Sequence, residues 1–161
     1  MTAPTVAFEQ PVVSPAPRRH VLFRHAIVEH ADLGEAISAT FAELYRHIRT
    51  SGTFPAGPPF VVYHAGSEVG VQWDIDVCAP IATPITPPPE FGYKEMPGGP
   101  AVTLMHVGSY DSIGSAYAQL EAYLDTNHIH KAGEPREFYL SEPGVPPSEA
   151  RTMIEWPISQ L

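Results

Sequence analysis

The sequence is organised around two similar stretches, PFVVY at residues 59–63 and PREFY at residues 135–139, which lie 76 residues apart. Other similar pairs follow in the same order: FAEL at 41–44 with YAQL at 117–120, VCAPI at 77–81 with IEWPI at 154–158, and Arg24-His25 with Met105-His106. A period of about 80 residues is too long for a solenoid repeat. These pairs predict two copies of one folding unit, with chance similarity among short segments as the alternative.

Each predicted unit contains one helix between pairs of strands. Apolar residues recur with a helical period at 33–48 and again at 113–124. Stretches of strand character flank them at 6–13, 20–27, 60–64 and 70–78 in the first unit, and at 91–96, 101–107, 137–140 and 152–157 in the second. The order strand-strand-helix-strand-strand, occurring twice, predicts an α+β fold of about eight antiparallel strands and two helices.

We expect residues 1–161 to form a single domain with three parts. Repeat one covers about 5–82, a proline-rich linker about 83–90, and repeat two about 91–158. Each helix is expected to cover one face of its own sheet. The other faces would meet, or leave a central ligand cleft, at the pseudo-two-fold junction, since small-molecule sites favour such junctions.

Alternation along the strands sorts the side chains by face. The apolar residues Phe138 and Leu140 are expected to face the helix. Glu137 and Tyr139 then share the opposite face, together with Tyr63 of the first repeat. This grouping predicts a carboxylate beside aromatic rings.

Such a group suits an organic cation, because the carboxylate neutralises the charge and each ring adds a cation–π contact of about 0.5–2 kcal/mol. Val61 occupies the place of Glu137 in the first repeat, so the predicted site has one carboxylate only. The alternative is that Glu137 lies in water on an exposed sheet face, paired with Arg136 or Lys131.

Composition and charge exclude several classes of protein. A chain of 161 residues with 43% apolar residues can bury a core and is not disordered. Nine Lys and Arg against eighteen Asp and Glu give a net charge of −9. A nucleic-acid partner is therefore not expected, and a cationic ligand is favoured. There is no signal-peptide pattern and no apolar run of 18 residues, which predicts a cytoplasmic protein without a membrane partner.

The sequence predicts neither a metal site nor a cofactor. Cys78 is the only cysteine, so a thiolate metal site cannot form within the chain. Asp74 and Asp76 share a strand face, but no third ligand is close in sequence, and a solvated face is expected. None of the eight histidines has zinc-protease spacing, and there is no nucleophile elbow or phosphate-binding loop. Trp73 is expected either in the core or in a wall of the cleft.

Five segments together resemble a known family, in order and spacing rather than singly. They are MPGG at 96–99, HVGSY at 106–110, AYxxL at 116–120, EFY at 137–139 and TxIxxP at 152–157. Over roughly residues 5–158 the chain resembles the GyrI-like small-molecule-binding domain, also called the bacterial effector-binding domain. The resemblance implies two pseudo-symmetric units with a cleft between them. By the motif, it also implies contact between Glu137 and a lipophilic organic cation.

The resemblance leaves three functions open for comparison. In the first, a free-standing sensor or sequestering protein binds an aromatic or cationic small molecule, with Glu137 for charge and Tyr63, Tyr139, Tyr110 and Trp73 as walls. In the second, a hydrolase of strained, cyclopropane-type molecules uses Glu137 as general base and Tyr110 or Tyr139 as oxyanion donor. The third is a gyrase-inhibitor-like interaction. About twenty residues precede the first firm strand, so a helix-turn-helix domain is not expected here.

Overall fold

The computed structural model describes residues 10–64, 72–142 and 144–160. The first half contains β1 (Val12–Ala16), β2 (Arg19–Glu29), α1 (Leu33–Thr50), β3 (Phe60–Tyr63) and β4 (Gln72–Ile81). The second half contains β5 (Gly92–Met96), β6 (Gly99–Val107), α2 (Ile113–Thr126), β7 (Arg136–Tyr139) and β8 (Arg151–Pro157). The two predicted helices and their flanking strands are confirmed. Residues 6–9 of the strand predicted at 6–13 lie outside the described residues, as do residues 70 and 71.

All eight strands form one antiparallel sheet in the order β1-β6-β8-β7-β3-β4-β2-β5, which curls into a half-barrel. If each strand is replaced by its counterpart in the other half (β1 by β5, β2 by β6, β3 by β7, β4 by β8, and the reverse), the same order is obtained read backwards. A pseudo-two-fold axis therefore passes between β3 and β7. The first strand of each half is exchanged, because β1 pairs with β6 and β5 pairs with β2. The predicted α+β fold of two pseudo-symmetric repeats is therefore confirmed.

Both helices lie on the same face of this continuous sheet. Val61 on β3 pairs with Glu137 on β7, and Glu137 pairs with Ile154 on β8, so all three point to one side. Val61 packs in the core cluster under α1, and Ile154 packs in the cluster under α2. The expectation of separate sheets whose free faces meet is wrong. Pairing β3 with β7 joins the repeats edge to edge and leaves neither strand as an exposed edge.

Each helix packs an apolar stripe against this face. The fully or nearly buried residues are Ile37, Leu44 and Ile48 on α1, and Ala116, Leu120 and Leu124 on α2. Their spacing is the helical period seen in the sequence. Within the described residues, neither helix is long and apolar enough to cross a membrane.

The opposite, concave face has its own apolar core at the pseudo-two-fold axis. Phe60 and Phe138 stack there with 4.6 Å between ring centroids, and both are buried. The Arg19 guanidinium lies 4.6 Å from the Phe138 centroid and donates two hydrogen bonds to Glu155, of 2.8 and 3.0 Å. The prediction that Phe138 and Leu140 face the helix is wrong. The curl of the sheet buries this face too, so apolar character does not identify the helix side.

We expect Phe138→Ala to lower the free energy of unfolding by about 3–5 kcal/mol, because it leaves a cavity against Phe60. Phe54→Ala is the control, since Phe54 is 70% exposed and its loss should change stability by about 0.5 kcal/mol or less. Urea denaturation of the two variants measures both values. Equal, small losses would contradict the assignment of Phe138 to the core.

Candidate functional site

Glu137 lies in the middle of a row of apolar side chains that crosses the sheet on the helix face. The paired residues run Val77, Val61, Glu137, Ile154, Leu104 across β4, β3, β7, β8 and β6. The four apolar residues are at most 1% exposed, and Glu137 is 7% exposed. An ionised carboxylate at such a position is costly unless other groups compensate for its lost hydration.

Three tyrosines supply that compensation. The Tyr117 hydroxyl, from α2, donates to Glu137 Oε2 at 2.6 Å, and the Tyr139 hydroxyl donates to Oε1 at 3.2 Å. The hydroxyls of Tyr63 and Tyr139, which the pseudo-two-fold axis relates, are 2.9 Å apart. Hydrogen bonds from hydroxyls stabilise a buried carboxylate but leave its charge uncompensated.

Burial raises the pKa of Glu137 above its ordinary value of 4.5, and the hydrogen bonds from the tyrosines, followed by attraction to His106, offset part of this rise. Burial, and then the charge of Glu137, raise the pKa of Tyr63, Tyr117 and Tyr139 above 10. The tyrosines therefore remain protonated donors, and the carboxyl of Glu137 holds its proton more tightly than an exposed glutamate does.

Further aromatic rings surround this core of the site. Tyr110, on the turn before α2, meets Tyr139 edge-on at 5.7 Å, and Trp73 meets Tyr63 edge-on at 5.6 Å. Tyr110 is 56% exposed, and the Trp73 indole is half-buried and donates to His30 Nδ1 at 3.0 Å. The structure thus brings together all five residues expected from the sequence, and their role in binding remains a prediction.

Two positional expectations for Glu137 are corrected. The carboxylate does not lie in water beside a lysine or an arginine, because Arg136 bonds Glu155 at 2.9 Å and Lys131 bonds Glu121 at 2.8 Å. It also does not lie on the face away from the helices. It faces the gap between α1 and α2, because the axis that joins the two repeats leaves this part of the sheet between the helices.

Tyr117 is a site residue that the sequence does not single out, because it falls within the helical period of apolar residues at 113–124. In the repeat alignment it matches Phe41, whose ring contacts Tyr139 edge-on at 6.1 Å. The half that carries Glu137 therefore has a helix tyrosine, and the half that carries Val61 has a phenylalanine without a hydroxyl. This paired difference between the repeats was a readable signal.

His106 on β6 lies on the same face of the sheet as Glu137. It is paired with Thr152 on β8 and is 2% exposed. Its Nε2 is 3.1 Å from the Ser109 carbonyl oxygen and 3.1 Å from Ser112 Oγ. Its Nδ1 has no partner among the described residues. The strand-end histidine is therefore anchored to the turn that carries Tyr110.

The sequence led us to expect Asp76 on a solvated strand face, and this expectation is wrong. It is 6% exposed and accepts a hydrogen bond from Lys94 Nζ at 2.8 Å, while His64 Nε2 is 3.1 Å from Oδ2. Asp74 is more exposed and contacts His25. These groups lie on the concave face, because Asp76 pairs with Val62 of the concave-face core.

A cavity of about 390 Å³ also lies on the concave face, and none of the predicted site residues lines it. Its walls include Arg18, Arg19, Phe138 and Met153. No Asp or Glu is among the described residues that line this cavity, so it offers a cation no counter-charge. The buried carboxylate ringed by tyrosines, on the helix face, is the stronger candidate.

The chain thus combines a repeated α+β architecture with a carboxylate buried at the pseudo-two-fold axis. Residues 10–159 match the family described as the GyrI-like small molecule binding domain, and the chain belongs to that family. The C-terminal domain of EcmrR is 21% identical, with 96% of this chain and 99% of that one covered and a TM-score of 0.83. The EcmrR chain in a complex with DNA is 22% identical, with a TM-score of 0.84. The match covers 94% of this chain and 58% of the EcmrR chain.

Two more distant structures share the fold. A hydrolase from Listeria innocua is 16% identical, with 93% and 92% of the two chains covered and a TM-score of 0.68. SAV2435, whose structure was solved bound to tetraphenylphosphonium, is 8% identical, with 94% of each chain covered and a TM-score of 0.58. No curated protein matches the chain in sequence.

The raised pKa of Glu137 predicts a specific dependence of stability on pH. Between 4.5 and its folded value, the folded protein holds a proton that the unfolded chain releases, so this group makes stability fall as pH rises. Glu137→Gln removes this pH-dependent contribution to stability. The free energy of unfolding of the variant relative to wild type should therefore increase with pH above 4.5.

Urea denaturation at a series of pH values from 4.5 to 8 measures this difference. Glu121→Gln is the control, because Glu121 lies at the surface and pairs with Lys131. A Glu137→Gln difference that stays flat or decreases as the pH rises would mean that the carboxyl is not raised by burial.

Proposed function

We propose that this protein binds a lipophilic aromatic cation at Glu137, between α1 and α2. One observation carries the proposal. Among the described residues, three carboxylates are buried: Asp76, Glu137 and Glu155. Asp76 pairs with Lys94, and Glu155 pairs with Arg19 and Arg136. Glu137 forms no such ion pair, so its charge is left for a cation from outside the chain.

The surroundings of Glu137 favour an organic cation over a metal ion. The groups around the carboxylate are tyrosine hydroxyls and aromatic rings, and a hard metal ion needs several oxygen ligands that carry more charge. A large organic cation has little hydration to lose, and it can bury its apolar surface against Tyr63, Tyr139 and the edge of Trp73. Ionised Glu137 then gains the counter-ion that the protein does not supply.

Access to the carboxylate depends on Tyr110. Glu137 is 7% exposed, and the exposed ring of Tyr110 packs edge-on against Tyr139 beside it. A bulky ligand reaches Glu137 once Tyr110 swings outward from the turn before α2. The ring can then close on the ligand as a wall of the site.

SAV2435 shares the fold and was solved with tetraphenylphosphonium, a lipophilic aromatic cation. At 8% identity this similarity concerns the fold. The choice of ligand class for this chain therefore rests on the unpaired Glu137 and its aromatic surroundings.

Tetraphenylphosphonium titration by calorimetry tests the proposal. Wild type should bind one equivalent, and Glu137→Gln should lose about 2–5 kcal/mol of binding free energy, or at least about 30-fold in Kd. Glu121→Gln, which removes an exposed charge from α2, should bind like wild type. Triphenylphosphine oxide, a neutral compound with similar rings, should bind weakly and without preference between wild type and Glu137→Gln.

The proposal fails if Glu137→Gln binds the cation as tightly as wild type. It also fails if Glu121→Gln and Glu137→Gln lose the same affinity, because the effect would then come from net charge and not from the site.

A hydrolase is the second candidate, and the raised pKa of Glu137 beside protonated tyrosines favours it. Glu137 can take a proton from water while the water oxygen bonds to the electrophilic carbon of a strained ring. The ring bond breaks, a tyrosine stabilises the developing negative charge, and the proton ends on the product. Net hydration of the substrate results. The fold shared with a Listeria innocua hydrolase is compatible with this chemistry.

Turnover distinguishes the second candidate from binding. An activated cyclopropane electrophile at tenfold excess should give more than one equivalent of hydrated, ring-opened product with wild type, and only the background rate with Glu137→Gln. Product formation equal in the two proteins would exclude Glu137 as the general base. Detection by liquid chromatography with mass spectrometry counts the product against the protein.

A further inference from the structure

The concave face carries a cluster of metal-ligand side chains contributed by three adjacent strands. His25 on β2, His64 directly after β3 and Asp76 on β4 each offer one ligand atom, and these three atoms lie within 4.8 Å of one another. We infer that His25, His64 and Asp76 bind a divalent transition-metal ion of the zinc class on the face of the sheet opposite Glu137.

The sheet itself holds these ligands in position. His25 is directly opposite Asp76 in the pairing of β2 with β4. The His64 backbone N–H donates to the Asp74 carbonyl oxygen at 2.9 Å, which extends the pairing of β3 with β4 by one residue. Two imidazoles and one carboxylate form a ligand set typical of Zn²⁺ sites, and ligands on paired strands need little rearrangement to bind.

Neighbouring carboxylates complete the arrangement expected around a metal. Both Glu134 oxygens are 3.0 Å from His64 Nδ1, so His64 Nε2 points toward Asp76, 3.1 Å from Oδ2. A carboxylate that accepts from the far nitrogen of a ligating histidine fixes its orientation and raises its basicity. Asp74 Oδ1 lies 2.5 Å from His25 Nε2, so the second histidine of the cluster also has a carboxylate partner.

Lys94 is the cation that a metal ion must displace. Its Nζ is 2.8 Å from Asp76 Oδ2, and it also lies 4.3 Å from the centroid of the Phe23 ring. The flexible lysine side chain can move off Asp76 and keep its contact with Phe23.

The cluster is separate from the proposed cation site. Val62 pairs with Asp76 on the concave face, and the preceding residue, Val61, pairs with Glu137 on the helix face. Successive residues of a strand point to opposite faces. Loss of metal binding and loss of organic-cation binding are thus expected from different variants.

Zinc titration of the untagged full chain, in competition with a chromophoric zinc indicator, tests the inference. Wild type should bind one Zn²⁺. His64→Gln and His25→Ala should each weaken binding more than about 10-fold, and Glu134→Gln should weaken it by about 10-fold. His128→Asn is the control: His128 is exposed after α2, and its φ of 55° suits asparagine. It should bind zinc like wild type.

Lys94→Gln provides the decisive variant, because it should strengthen zinc binding by removing the competing cation, and a misfolded protein would not gain affinity. The inference is overturned if wild type binds no zinc. It is also overturned if His25→Ala and His64→Gln bind as well as the His128→Asn control, or if Lys94→Gln weakens binding. Tetraphenylphosphonium binding by the same variants should be unchanged, which separates this outcome from failure of the proposed function.

Discussion

The burial of one carboxylate without a cationic partner organises this protein. Glu137 occupies the centre of the sheet, where every neighbour across the strands is apolar, and the tyrosine hydroxyls around it satisfy hydrogen bonds but not charge. A folded chain keeps such a costly group only if something else compensates for it. The unpaired charge, its raised pKa and the surrounding rings all favour the same class of ligand.

The internal duplication provides a symmetric framework, and two residue differences between the repeats make the site asymmetric. Glu137 stands opposite Val61, and Tyr117 stands where the other repeat has Phe41. A carboxylate in each half would place two like charges side by side on β3 and β7, which is destabilising. The Tyr63 and Tyr139 pair is retained from both halves, because its hydroxyls can bond to each other across the axis.

The sequence was sufficient for the repeat, for the helices and for the grouping of Glu137 with Tyr139 and Tyr63, because these depend on periodicity along the chain. It was insufficient to predict on which side of the sheet Glu137 lies, because both faces are buried and Phe138 is as apolar as a helix contact would be. It also could not bring His25 and His64 to Asp76. That cluster depends on the register between three strands, which no spacing in the sequence specifies.

A crystal structure of the protein with tetraphenylphosphonium is the most direct measurement of the central claim. The account predicts the cation on the helix face, above the Glu137 carboxylate, with its phenyl groups against Tyr63 and Tyr139 and with Tyr110 moved outward. A cation seated instead in the cavity of about 390 Å³ on the concave face, beside Arg19 and Phe138, would contradict it. In that case the buried carboxylate would have only a structural role.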